Sequence, residues 1–196
     1  DEGVGSRLLD LLGLNHMIKI PQQQEELTLR VDHLWDGDVC ADDRLWAGVE
    51  LSQNKEGIMV RVTAPVLHEQ SVPDFPMGSR VEGLWNFDVV ELFFVGPGHQ
   101  YLELELGAGG HFLILGFDSI RRRSNAYETF QPIVRFEKTA DKQWVSEMTI
   151  PWKMVPENLR ALNAFAIMAG QFLAYGALPG IEPDFHQPDF YPAVSL

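Results

Sequence analysis

The chain has 196 residues, 28 of them acidic against 15 Lys and Arg, for a formal net charge of −13. That field repels a phosphate backbone and an anionic membrane surface, so neither nucleic acid nor lipid headgroups fit as partners, whereas a cation or a neutral ligand does. The hydrophobic content of 45% and the length allow a real core without staples, and the single cysteine, Cys40, rules out an intrachain disulfide. A lone thiol suits a reducing compartment, so a cytoplasmic protein is the expectation, with export compatible. No stretch approaches the apolar length of a membrane-spanning helix.

Residues 1–16 differ from the rest. Leu8, Leu11 and Leu12 recur at helical spacing and Gly13 follows as a stop, which predicts a short amphipathic helix. His16-Met17 is also the dipeptide that a common cloning site encodes, so 1–16 read as an N-terminal appendage, native or from expression. Residues 17–196 read as a single domain.

From Leu27 onward the pattern is β. Ala47–Gln53 and 57–63 alternate, with Ile58, Val60 and Val62 on one face and Met59, Arg61 and Thr63 on the other. Asn54-Lys55-Glu56-Gly57 turns between them. A loop with three prolines and Gly78 spans 65–80. Strands at 88–95, 100–106 and 111–117 follow, joined by Gly96-Pro97-Gly98-His99 and Gly107-Ala108-Gly109-Gly110 into a meander. A hairpin at 130–138 and 143–150 ends at Ile150-Pro151-Trp152. One helical turn is predicted at 156–162, final strands at 164–169 and 172–177, and an extended, proline-rich end after Pro179. About nine or ten short strands with almost no helix predict an all-β, two-sheet antiparallel β-sandwich.

Chemistry concentrates in the meander. Leu102, Leu104 and Leu106 point one way along 100–106; Tyr101, Glu103 and Glu105 point the other. Simple hairpin counting sets Leu92 opposite Glu103 and Val90 opposite Glu105, with Phe112 and Ile114 on the other side. A charge on two carboxylates among apolar neighbours is costly unless paired or hydrogen-bonded. Three readings follow: a partner cation from Arg121-Arg122-Arg123, a polar ligand groove, or a catalytic carboxylate pair of the glycosidase kind. Glu91, between Val89 and Phe93 on one strand face, reads as a structural carboxylate in need of a donor, as do Asp88 and Asp184. Asp184 and His186 alternate with Phe185. They suit an Asp–His hydrogen bond or two metal ligands, and two ligands do not make a metal site.

Trp85 and Trp35 lie at loop–strand junctions, where an indole can stack on a flat ligand; Trp144 and Trp152 read as core or rim. The expected ligand groove is lined by Trp85, Tyr101, Glu103, Glu105 and His186. No Gly-x-Ser-x-Gly, phosphate loop, dinucleotide fingerprint or His-Glu-x-x-His is present, so no residue is assigned as catalytic and a binding module is expected ahead of an enzyme. The alternatives are a carboxylate-dependent enzyme acting on carbohydrate and a protein-interaction scaffold.

Residues 84–94, Tyr101-Leu102-Glu103-Leu104-Glu105-Leu106 with Gly110, Ile150-Pro151-Trp152, 163–167, Pro183-Asp184-Phe185-His186 and Asp32-His33-Leu34-Trp35-Asp36-Gly37 together resemble an uncharacterised family of small single-domain proteins. That family is distantly similar to family 9 carbohydrate-binding modules and DOMON-like sandwiches, which share an Asp-x-Val-Glu strand, a Tyr-x-Glu strand, a Pro-Trp and a late Asp-Phe-His. The resemblance implies an immunoglobulin-like or jelly-roll-like sandwich and a small polar ligand, a saccharide above all. Some relatives carry structural calcium and some bind haem; the residues here imply no cofactor firmly, and calcium is left open.

Overall fold

Alternation of apolar and polar side chains organises the described residues into three sheets. The computed structural model describes residues 17–196; the expected helix and appendage at 1–16 lie outside the described residues. In chain order the first strands are β1 (Ile18–Lys19), β2 (Leu27–Val31), β3 (His33–Leu34), β4 (Ala47–Gln53) and β5 (Gly57–Pro65). The meander is β6 (Val89–Val95), β7 (Tyr101–Gly107) and β8 (Phe112–Ser119), followed by β9 (Arg122–Asn125). The rest are β10 (Arg135–Lys138), β11 (Gln143–Pro151), β12 (Ala161–Met168), β13 (Gln171–Ala174) and β14 (Val194–Ser195).

A five-stranded sheet runs β10-β11-β5-β4-β2 and a seven-stranded sheet runs β3-β13-β12-β6-β7-β8-β9, with antiparallel neighbours throughout. The all-β, antiparallel expectation therefore holds. A short parallel pair, β1 with β14, ties Ile18 to Val194.

The five-stranded sheet has one dry face. Val49, Leu51, Ile58, Val60 and Val62 are buried, whereas Glu50 and Met59 are half-buried and Arg61 is exposed. These inner side chains pack on Val90, Leu92, Phe94, Leu102 and Leu104 of the seven-stranded sheet to form the shared core. Trp144 belongs to this core, and Trp152 sits at its rim with its indole N–H donating to the Asn54 carbonyl at 2.8 Å.

Strands β6 and β7 are buried at every residue. Their second face carries a separate apolar cluster, including Val89, Phe93, Tyr101, Leu113, Leu115 and Phe165, capped by Phe185 and Tyr191 from the C-terminal segment. Strands covered on both faces read as near-continuous hydrophobic runs, as 89–95 does.

Several expectations need correction. The strand expected from 130 begins only at Arg135, leaving Ile133 81% exposed. The helical turn expected at 156–162 does not form. Asn158 takes φ 52, a left-handed conformation that breaks a helix, and Ala161 already pairs with Val95. No strand is expected at 122–125, where the residues are polar; β9 is a fully exposed edge strand, where polar and charged residues are at home.

One buried polar residue fixes the start of the C-terminal segment. Asn163, fully buried on β12, donates from Nδ2 to the Gly176 carbonyl at 2.9 Å and accepts the Gly176 N–H at 2.8 Å and the Ala164 N–H at 3.0 Å. Gly176 is required here because a Cβ would lie 2.9 Å from Pro192 and 3.1 Å from Asn163. Replacing Asn163 with Ala strands a buried N–H and C=O of Gly176, a loss of about 2–4 kcal/mol for several buried hydrogen bonds. The expected drop in melting temperature, read by circular dichroism, is about 5–15 °C.

Candidate functional site

The register of the meander decides the site. The turn after β6 takes five residues, with the Gly96 N–H on the Gln100 carbonyl, so Val95 pairs with Tyr101. Gln100, expected to open the strand, belongs to this loop. The next turn also takes one residue more than expected, with the Gly107 N–H on the His111 carbonyl, so both hairpins are one residue out of step with simple counting, and a one-residue slip exchanges every cross-strand neighbour. Glu105 lies opposite Glu91 and Leu113; Glu103 lies opposite Phe93 and Leu115. Val90, Leu92, Phe112 and Ile114, expected beside the two glutamates, face the shared core instead.

The correction turns a pair of carboxylates into a triad. Glu91, Glu103 and Glu105 are 3%, 3% and 0% exposed, and one carboxylate oxygen from each lies within 4.8 Å of the others. Among the described residues, no donor reaches either oxygen of Glu105. Burial pushes all three carboxyls up, Glu103 to about 7 and the other two well above the ordinary value of 4.5. Glu103 is raised least because the positive potential of Arg123 and Arg121 offsets part of the effect of burial. Three full negative charges cannot coexist at this density in a dry site, so the patch holds protons or a cation.

The arginines do not neutralise it directly. Arg121 pairs with Asp184 at 2.6 Å, Arg122 with Asp118 at 3.5 Å and Arg123 with Glu82 at 2.8 Å. The partner-cation reading of the sequence therefore fails at the level of contact, although Arg121 and Arg123 border the space above the glutamates. Glu82 also receives Arg80 at 3.0 Å; partial burial pushes its carboxyl up, but the two guanidinium hydrogen bonds hold it below the usual range.

Above Glu91 and Glu103 opens a cavity of about 400 Å³. Its apolar walls include Trp85, Leu115, Phe117, Ile167, Phe172 and Phe185, and its polar rim includes Arg121, Arg123, Asp184 and His186. A depression of about 1490 Å³ beside Gln22 and Glu26 and one of about 440 Å³ on the outer face of the five-stranded sheet are lined by no comparable buried carboxylate group.

The roof is the C-terminal segment, held by specific contacts. Phe185 stacks on Phe165, centroids 4.2 Å apart, and Phe93 meets His186 edge-on at 5.2 Å. Tyr101 stacks on Phe117 at 4.5 Å, and its hydroxyl lies 2.7 Å from His186 Nδ1 while accepting the Arg121 N–H at 3.0 Å. With that N–H on the phenol oxygen, the phenol proton is assigned to Nδ1, which leaves the ring proton on Nε2. Burial lowers His186 to about 4 and raises Tyr101 to about 12, so both are neutral at physiological pH. Asp184 accepts the His186 backbone N–H at 2.9 Å, which shapes the segment.

Of the residues expected in the groove, Trp85, Glu103 and His186 line the cavity. Tyr101 instead supports His186, and Glu105 lies behind Glu91 and Glu103. Asp184 holds the rim, and Glu91, expected to be purely structural, opens into the cavity. Asp88 lies away from it, buried and accepting the Ala169 N–H at 3.3 Å. Trp35 packs half-buried on the outer cluster. Ile167 and Phe172 were missed. Ile167 shares a β12 face with Phe165 and faces Phe172 across β13, a signal visible only once the strands are paired.

The raised carboxyls have a signed consequence. The folded chain keeps protons that the unfolded chain releases above its ordinary pKa, so their contribution is fullest below about pH 4.5 and is lost as pH rises toward and past 7. Each retained proton costs up to about 1.4 kcal/mol per pH unit. Glu105→Gln is expected to melt higher than the parent at about pH 8 and to flatten the fall in melting temperature between about pH 5 and 8. Calorimetric melting in chelator-containing buffer measures it; a steeper fall in the variant contradicts the buried-proton account.

No family model matches the chain. It is 29% identical over 177 residues to the UPF0462 protein C4orf33 homolog of Danio rerio, covering 85% of this chain and 87% of that one. The human UPF0462 protein C4orf33 is 27% identical over 181 residues, covering 87% and 88%. Among solved structures, a proposed carbohydrate-binding protein from Bacteroides uniformis superposes with a TM-score of 0.65 at 17% identity, covering 98% of this chain and 90% of its own. The chain is thus similar over nearly its whole length to an uncharacterised group of UPF0462 proteins, and it shares its fold with that Bacteroides protein.

Proposed function

We propose that the chain is a non-catalytic binding module for a small saccharide, seated in the cavity between the glutamate patch and the C-terminal roof. The observation that carries this reading is the opening of two buried carboxyl groups, Glu91 and Glu103, into a cavity walled by aromatic rings. A sugar ring has apolar C–H faces and a hydroxyl edge. Trp85, Phe117 and Phe172 offer surfaces for the faces, while Glu91, Glu103 and the rim arginines offer acceptors and donors for the edge. The volume suits a ligand of one or two rings. The Bacteroides neighbour, itself a proposed carbohydrate-binding protein of the same fold, supports the same class, and a sandwich of the carbohydrate-binding-module type is the architecture this reading expects.

A second reading rests on Glu103. A carboxyl near 7 inside a cavity, with other carboxyls within 4.8 Å, is also how a carboxylate-dependent glycosidase holds its acid.

Titration calorimetry after a glycan-array screen tests both. A saturable response is expected for a mono- or oligosaccharide, with Trp85→Ala weakening it about tenfold through lost stacking. Silence across the array contradicts saccharide binding. Product formation that disappears in Glu103→Gln, while binding persists, moves the chain to the second reading.

A further inference from the structure

We propose that Glu91, Glu103 and Glu105 hold one divalent cation of the oxygen-preferring class, such as Ca2+ or Mn2+, at the back of the cavity, where ligand hydroxyls complete its coordination. The ion site stands on the glutamates alone. The role of hydroxyls rests on the saccharide reading above.

Geometry comes first. The three carboxylates come from two paired strands, and their oxygens lie within 4.8 Å of one another. An ion with oxygen ligands at about 2.1–2.5 Å spans at most about 5 Å between opposite ligands, so one ion can touch all three.

A second observation points to an occupant. Glu105 is fully buried, its carboxylate is directed into the cluster, and neither of its oxygens has a donor among the described residues. Buried polar groups in folded proteins nearly always have a partner. The nearest basic side chains are committed elsewhere, Arg121 to Asp184 and Arg123 to Glu82.

The donor set selects the ion. Three carboxylates and no sulfur ligand favour hard cations, which take six to eight oxygens. His186, the imidazole nearest the cavity, has its Nδ1 held by Tyr101. Three glutamates cannot fill such a shell. Glu91 and Glu103 border the cavity, so the remaining positions open onto it, where vicinal hydroxyls of a sugar can enter.

The test uses the whole chain, stripped with chelator and titrated by calorimetry with Mn2+ and, separately, with Ca2+. One saturable site per chain is expected, weakened about tenfold or more by Glu105→Gln. Glu50→Gln, paired with Arg61 on the far sheet, should leave the site unchanged. Absence of a saturable site for either ion overturns the proposal, as does a Glu105→Gln protein that binds like the parent. Circular dichroism checks folding, and Glu91→Gln replaces the variant if it does not fold. Saccharide binding undiminished by chelator overturns the coupling of ion and ligand while the saccharide reading stands. Ion binding without any saccharide response supports the ion site and contradicts the saccharide reading.

Discussion

Glu91 and Glu105 face one another across neighbouring strands, with Glu103 one step along the same face, and that juxtaposition governs everything built above them. Carboxyl groups packed this closely are tolerated only if protons or a cation reduce their charge and water is kept from competing. The apolar side chains around them, Phe93, Leu113 and Leu115, supply the dry surroundings. The arginines stay at the rim, each occupied by another acid, and lend positive potential without collapsing onto the patch.

The seven-stranded sheet therefore has two faces with different tasks. Its inner face packs Leu on Leu and Phe against the five-stranded sheet. Its outer face cannot be left to solvent, because it carries aromatic rings as well as the acids. The segment after Gly176 covers it, anchored at one end by Asn163 and over the patch by Tyr101 and His186. One side chain thus serves each link: Asn163 sets where the cover begins, Phe185 sets how deep it sits, and His186 sets its height above the acids.

Much of this was legible in the residues. Strict alternation from Tyr101 to Leu106 revealed which side chains share a face, and the apolar run at 89–95 marked a strand buried twice. Register was not legible, because it depends on how a glycine-rich turn closes. Pro97 and Gly98 fit more than one loop length, and the Gly96–Gln100 hydrogen bond that decides between them is a tertiary fact. The third glutamate was hidden for the same reason: Glu91 was seen among its strand neighbours, not across from Glu105. The aromatic roof escaped because no local pattern ties Phe185 to Phe165 across so much chain. Edge strand β9 escaped because an exposed edge and a polar loop have the same composition.

The roof is made well after the meander that it covers. As the chain emerges during synthesis, β6, β7 and β8 can pair long before residues 176–191 exist, so the acids of the patch are first formed in contact with water. They acquire their buried character only when His186 reaches Tyr101 and Phe185 reaches Phe165. Docking of this segment therefore does two things at once: it covers the outer aromatic face and it closes a compartment above the acids.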